Sequence, residues 1–240
     1  MKVSSTPTAR GFTLIETVIA IGVLAVLLTG FMMVFAPAAA GIKQAISVQD
    51  ADRLVSTLEQ ELVTLRTSDG LPAGATGFDK AFDRIKNAKT ADTALLIYQY
   101  RGDLSKTRTD GTPTPVANSS GLVAGKDYKV VPMMRQKGDT LFSTDAASDL
   151  SEIEGGVYLV KCTPLYFSGN ALILGAPGTI TDLKGNVSTS SAAHPEAVIP
   201  FAADFYSVPA KSASYFTSSF ATYFTKTKTP VFTRNLAVRR

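Results

Sequence analysis

Residues 17–42 (TVIAIGVLAVLLTGFMMVFAPAAAGI) carry no charged side chain. About 20 such residues are enough to cross the hydrocarbon of a bilayer as a helix. A helix is required there, because backbone N–H and C=O groups in lipid must be satisfied within the segment itself. Lys2 and Arg10 precede the run, which predicts a cytoplasmic N-terminus and a translocated remainder. A secretory signal peptide has an apolar region of only ~7–15 residues followed by a small-residue cleavage site. This run is too long for one, although 38–40 (AAA) resembles such a site. Charged residues make up 18% of the 240-residue chain, below the roughly 25% of an ordinary soluble domain, in keeping with a membrane segment.

Glu16 closes the heptapeptide Arg10-Gly11-Phe12-Thr13-Leu14-Ile15-Glu16, directly before the uncharged run. A carboxylate at the bilayer centre costs ~2.5–3.5 kcal/mol and less near the surface, so an acid at this edge needs a partner or a task. Arg-Gly-Phe-Thr-Leu-Ile-Glu followed by an uncharged helix resembles the N-terminus of type IV prepilins and of type II secretion pseudopilins. The resemblance covers residues 1–66. It implies cleavage after Gly11 by a prepilin peptidase on the cytoplasmic side and N-methylation of the new terminal residue, Phe12. It also implies that the apolar helix becomes the core of a filament. The partners would be other pilin or pseudopilin subunits, the peptidase and an inner-membrane assembly platform. Cleavage would leave an ammonium group on Phe12, and a buried charge needs a counter-charge. Glu16 is the only acid in the first 49 residues. Glu16 of one subunit could then pair with Phe12 of its neighbour and set the axial register. Alternatively, Glu16 caps the helix start, where acids interact well with the macrodipole.

Beyond Gly41 the pattern becomes amphipathic. Val48, Ala51, Val55, Leu58, Leu62 and Leu65 follow helical spacing, with Leu54 beside them. Asp69-Gly70 and Pro72 predict the helix end near Thr67. Pro37, lacking an N–H, predicts a kink or local opening. The stripe is expected to pack on the chain's own sheet. A coiled coil is the alternative, over only about three heptads.

Residues 69–240 read as β-rich. Strands are expected at 94–100, 128–131, 156–167, 171–174 and 231–238. A short amphipathic helix is expected at 78–88, its Asp79 and Asp83 facing water with Lys80 and Lys86. Residues 101–127 and 175–197 read as loops. The whole is α+β: a long N-terminal transmembrane-plus-amphipathic helix packed on a C-terminal antiparallel β-sheet domain, as in pilins. The expected divisions are a leader at 1–11, a membrane and filament-core helix at 12–40, an amphipathic helix at 41–68 and a periplasmic β-rich domain at 69–240.

Chemistry is scarce in that domain. One histidine and one cysteine exclude a disulfide within the chain, a His-pair metal site and a Cys-based zinc site. No G-x-S-x-G elbow, P-loop or G-x-G-x-x-G occurs. His194 reads as an incidental loop residue and Cys162 as a small core residue. Asp145, Asp149, Glu152 and Glu154 match no calcium loop and read as a solvated surface. The aromatics between Phe201 and Phe232 read as core and subunit contacts rather than a stacking platform for nucleic acid. The net charge of +4 arises where no acid follows Asp204, and its Lys and Arg are too thinly spread for a nucleic-acid arm. No catalytic, cofactor or metal residue is assigned, no cofactor is called for, and no nucleic acid is expected.

The expected function is a structural filament subunit. A missing cysteine pair, a large domain and the presence of Glu16 favour a minor pilin or minor pseudopilin of a type IV pilus-like or type II secretion filament. The other reading is a single-pass, inner-membrane-anchored periplasmic binding module or enzyme whose N-terminus resembles the motif by accident.

Overall fold

The computed structural model describes residues 13–116, 121–139, 142–169 and 171–240. Helix α1 spans Leu14–Val63 and runs through Pro37 without a break. The expected local opening at Pro37 is therefore absent, since its missing N–H removes one hydrogen bond while the rest of the ladder stays helical. The chain divides into two compact units between Ile46 and Ser47.

The second unit takes up the amphipathic half of α1. Leu54, Leu58 and Leu62 are buried, Val55 is half-buried, and Leu65 lies beyond the helix end and is exposed. The helix stops at Val63, a few residues earlier than expected, and a 3-10 turn at Thr67–Asp69 ends on Gly70 in the left-handed region. Helix α2, Gly77–Asn87, starts with Thr76 and Asp79 in a reciprocal capping box. A Cβ on Gly77 would stand 2.4 Å from the Val63 carbonyl oxygen, so only glycine lets α2 begin this close to the end of α1.

Seven strands follow: β1 Leu95–Thr107, β2 Pro113–Pro115, β3 Tyr128–Gln136, β4 Ile153–Ser168, β5 Ala171–Leu174, β6 Val198–Ser207 and β7 Phe232–Arg239. Every pairing is antiparallel. The central path is β3-β1-β4-β6-β7; β2 joins the far end of β1, and β5 forms a hairpin with the far end of β4. The register between β1 and β4 jumps from Tyr98↔Val157 to Gln99↔Glu154. The two extra residues are Gly155 and Gly156, and Gly155 takes a φ of 80° that a β-bulge of this kind needs.

Both faces of the sheet are covered, which is why β1 reads as a continuous apolar run. Leu95, Ile97, Val160, Phe201 and Phe205 pack under Leu58, Leu62, Phe82 and Ile85 of α1 and α2. On the opposite face Leu96, Tyr98, Val157 and Leu159 meet Leu150 of α3, Ala147–Ser151, and Phe216 and Phe220 of α4, Ala213–Ser218, and α5, Phe220–Lys226. The aromatic tail is thus a second lid on the sheet. Sequence reading expected one covered face and missed β6, and it placed β2 and the outer half of β1 inside a loop. Strand β6 escapes a period-2 search because Ile199, Phe201, Ala203 and Phe205 face one layer while Ala202 and Tyr206 are buried on the other.

Candidate functional site

Gly11 and Phe12, the expected cleavage and methylation positions, lie outside the described residues. Thr13 and Glu16 are described. The Thr13 backbone N–H and hydroxyl both donate to Glu16 Oε2 at 2.8 Å, and the Glu16 N–H donates to Thr13 Oγ1 at 3.3 Å. This reciprocal arrangement satisfies N–H groups that the first helical turn otherwise leaves open. Its sequence signal is Thr-x-x-Glu before an apolar run, which a search for caps would find.

Behind the cap, α1 presents apolar side chains on every side. Leu14, Val26, Met33 and Val34 are each about two-thirds exposed or more. Phe31 and Phe35 stack with ring centroids 3.9 Å apart. The few polar groups are closed on the helix itself: the Thr17 hydroxyl donates to the Leu14 carbonyl at 2.7 Å and that of Thr29 to the Ala25 carbonyl at 2.8 Å. A helix apolar all round with internally satisfied hydroxyls suits a lipid or helix-bundle environment. It is long and apolar enough to cross a membrane once.

The globular unit holds charge where sequence reading expected solvent. Asp149 is fully buried and accepts from the Tyr98 hydroxyl at 2.6 Å, Arg108 Nη2 at 2.7 Å and Arg135 Nε at 3.2 Å. The expectation of a solvated acidic group fails here, because its partners lie 51, 41 and 14 residues away in sequence. Burial, and then the Asp149 charge, hold the Tyr98 phenol well above its ordinary range. Burial opposes the charge on Arg135, but the acidic groups of Tyr98, Asp149 and Asp145 outweigh it and raise its pKa. Lys80 is likewise buried rather than facing water. Its ammonium lies 2.9 Å from Asp69 and donates to the Thr64 carbonyl at 2.5 Å, while burial pulls its pKa down. Arg84 joins this group through Asp69, Asp139 at 2.5 Å and Gln136. These networks tie α2 and α3 to β1 and β3 of the sheet.

His194 is buried, its Nδ1 2.8 Å from the Ser188 hydroxyl and its Nε2 3.5 Å from Glu196. It anchors the 175–197 segment, so it is structural rather than incidental. Cys162 is buried and its thiol is pushed up to about 12 by burial, which makes it inert as a nucleophile at neutral pH. Among the described residues no three His, Cys, Asp or Glu side chains gather as metal ligands would. An open groove of about 410 Å³ lies beside the β4–β5 hairpin, lined mainly by apolar residues including Leu165, Phe167, Leu172 and Leu183.

The most specific feature is therefore an uncovered, capped apolar helix joined in sequence to an α+β globular unit, the layout of a single-pass anchored, pilin-like protein. Residues 7–32 match the model of the prokaryotic N-terminal methylation motif, a segment that includes Gly11, Phe12, Thr13 and Glu16. The match supports a type IV pilin-like family, whose members are structural. No curated protein and no solved structure matches the chain.

Proposed function

We propose that this chain is a minor subunit of a type IV pilus-like or type II secretion filament, a minor pilin or minor pseudopilin. The observation that carries the reading is the methylation motif at 7–32 set on a capped helix whose apolar side chains have no cover. Prepilin peptidase cuts after Gly11, and the released amine of Phe12 is methylated. The subunit is held in the inner membrane by α1, with its globular unit periplasmic, until the assembly platform passes it into the filament. Glu16 then exchanges its contact with Thr13 for the Phe12 ammonium of the adjacent subunit, which fixes the axial register. Both groups enter a low-dielectric setting, where an unpaired charge is costly.

Mass spectrometry of the membrane-extracted protein tests this. The expected N-terminal residue is Phe12 carrying one added methyl group, and Gly11→Leu should block its formation. Retention of Met1 would sink the filament reading and favour an anchored binding module or enzyme. Glu16→Gln should be cleaved normally yet co-purify with filament partners two to three decades less well, given the ~3–5 kcal/mol cost of breaking one side of a buried pair.

A further inference from the structure

Residues 43–46 alone separate Ile42, the last of the uncharged run, from Ser47, where the globular unit begins. Even fully extended, that link reaches only ~18 Å. The end of the unit at which α1 enters therefore stays close to the headgroup region of any bilayer the run crosses. Contacts along α1 show which strands end there. Asp50 and Leu54 share a pocket with Gln99, Val130 and Gly155, whereas Glu61, nearer the helix end, shares one with Lys80, Arg84 and Gln136. Strand β3 thus runs beside α1 in the same sense, and its first residues lie at the entry end. Strand β1, antiparallel to it, passes Gln99 and runs up to ~17 Å further to Leu104. It then bends back, since Arg108 reaches Asp149 on the α3 side at 2.7 Å. Tyr128 pairs with Asp103, and the turn before it is closed by the Gly125 N–H on the Tyr128 carbonyl at 2.8 Å. Tyr100 is the last β1 residue to pair with β4, so the 103–106 bend and the 121–129 segment form a tip beyond it.

The tip is apolar with a cationic rim. Leu104, Leu122 and Val123 stand exposed on it, and apolar patches on a folded unit mark contact surfaces. Lys126 and Lys129 are exposed and belong to no ion pair among the described residues. Lys211, also exposed, donates to the Gly155 carbonyl at the same end. Lys106 is already matched by Asp103 at 3.7 Å, and Arg234 by Asp52 at 2.9 Å. Asp50 and Arg53 offset each other one helical turn apart. Arg101 meets Glu152 at 3.9 Å and Glu154 at 3.2 Å, which leaves one carboxylate over. That carboxylate and Asp127 stand against three lysines, a small positive excess. Exposed Leu and Val beside Lys side chains long enough to reach past them is the composition of a surface lying in a lipid interface.

We propose that this tip docks on the surface of the bilayer that carries α1. Leu104, Leu122 and Val123 enter the interface, and Lys126 and Lys129 meet lipid phosphates. The approach is end-on, so side chains on either face of the sheet enter together. A contact this small suffices because the span keeps the tip at high effective concentration beside the membrane. The globular unit then has two attachments, α1 and the tip, which fix it against the bilayer. The proposal rests on α1 crossing the membrane and not on filament assembly.

The test uses the full-length chain reconstituted in vesicles. The polarity-sensitive dye NBD is attached at Ala124→Cys on the tip, or at Ala171→Cys at the start of β5, which pairs with the far end of β4. Both positions are exposed, and Cys162 is buried and stays unlabelled. In vesicles of phosphatidylcholine and phosphatidylglycerol in equal parts, the dye at 124 should shift to the blue. Lipids carrying a nitroxide near the headgroup should quench it, and the dye at 171 should show neither effect. Leu122→Ser with Val123→Ser should abolish the shift. Lys126→Glu with Lys129→Glu should lower the docked-to-free ratio roughly tenfold or more in the mixed vesicles, since each Lys near an anionic surface contributes about fivefold. The same pair should have a smaller effect in phosphatidylcholine alone. An unquenched dye at 124, in protein that floats with the vesicles and resists alkaline extraction, would overturn the docking and leave the anchor standing. Equal quenching at 124 and 171, or quenching at 124 that neither double variant changes, would also overturn it. Shielding of 124 in native membranes but not in vesicles would assign the tip to a protein partner instead. Protein that fails to float with the vesicles would sink the anchor itself, and the docking with it.

Discussion

Leu24 and Leu58 sit on the same helix and meet opposite fates. Leu24 is 56% exposed in a stretch with no polar face, whereas Leu58 is fully buried, with Ser56, Glu59 and Gln60 exposed on the other side of the helix. The first half of α1 is built for a solvent other than water, and the second half is built to complete a protein core. The change is written in the side-chain pattern and not in the backbone, which is helical throughout. One helix can therefore serve two phases, provided its charged residues begin where the second phase does. In this chain Lys43, Asp50, Asp52 and Arg53 mark that point.

Charge breaks the two halves differently, and the largest effects are expected there. Asp149 tolerates complete burial because three donors surround it. Asp149→Ala leaves Arg108 and Arg135 without that acceptor and should cost ~3–5 kcal/mol of the globular unit's stability, read as a lowered urea midpoint. The apolar half offers a carboxylate no such donors. Val26→Asp should cost ~2.5–3.5 kcal/mol of membrane insertion, seen as loss of protein from the membrane fraction, and should leave the folded unit's urea midpoint unchanged.

Cavity formation sharpens the contrast further. Leu58→Ala removes buried methyl groups next to Leu62 and the sheet, and about 2–5 kcal/mol should be lost. Leu24→Ala is the same chemical change one half-helix away and should not shift the unfolding midpoint measured in detergent. An equal shift from both would show that Leu24 packs within the globular unit.

The two halves were not equally legible. The uncharged run is a local pattern and falls in the helix as expected. Of the expected stripe, Leu58 and Leu62 are buried with Leu54 beside them, while Val55 is half-buried and Leu65 exposed. Most of β4, β5 and β7 and the first half of β1 are local patterns too. Strand β6 was lost because a strand buried on both faces has no alternation. Its outer cover, α4 and α5, lay in the aromatic tail whose role as a lid depends on the sheet it caps. The networks around Asp149 and Lys80 were misread for a related reason. An acidic residue looks solvated in any short window, and only the fold brings Tyr98, Arg108 and Arg135 to it. The methylation and cleavage positions rest on the motif alone.

Alkali should separate the regions by composition. Burial pushes the Cys162 thiol from 9.0 to about 12 and the Tyr100 phenol from 10.0 to about 12. Both are held neutral in the fold, so their contribution is complete below the unfolded values and is lost as pH climbs towards 12. The urea midpoint should fall steadily between pH 9 and 12, with alkylation of Cys162 rising in step. Residues 13–46 contain no Cys or Tyr, so their detergent-bound helicity should not change across that window. A flat urea midpoint would show that these groups do not limit the domain in alkali.

The smallest expected effects come from two matched caps. At α1 the Thr13 N–H and hydroxyl reach Glu16 at 2.8 Å each, and at α2 those of Thr76 reach Asp79 at 2.7 and 2.8 Å. The return bond from the N3 backbone to the threonine hydroxyl is 3.3 Å in both. The chemistry is the same, and only the surroundings differ. Helix α2 lies wholly within the globular unit and contributes Phe78, Phe82 and Ile85 to its core, so fraying its first turn loosens buried contacts. Thr76→Ala should cost ~0.5–2 kcal/mol of unfolding free energy, with Thr76→Ser recovering most of it. Thr13→Ala removes an equivalent cap from a helix start that covers no core, and the same unfolding measurement should not register it. Its effect should appear instead in association. Glu16 would lose the hydroxyl donor, keep only the backbone N–H of residue 13 and be freer for the neighbouring Phe12 ammonium, so recovery with filament partners should hold or rise. A fall in recovery comparable to that of Glu16→Gln, with cleavage intact, would mean that the cap itself, and not the charge it holds, is what the neighbouring subunit recognises.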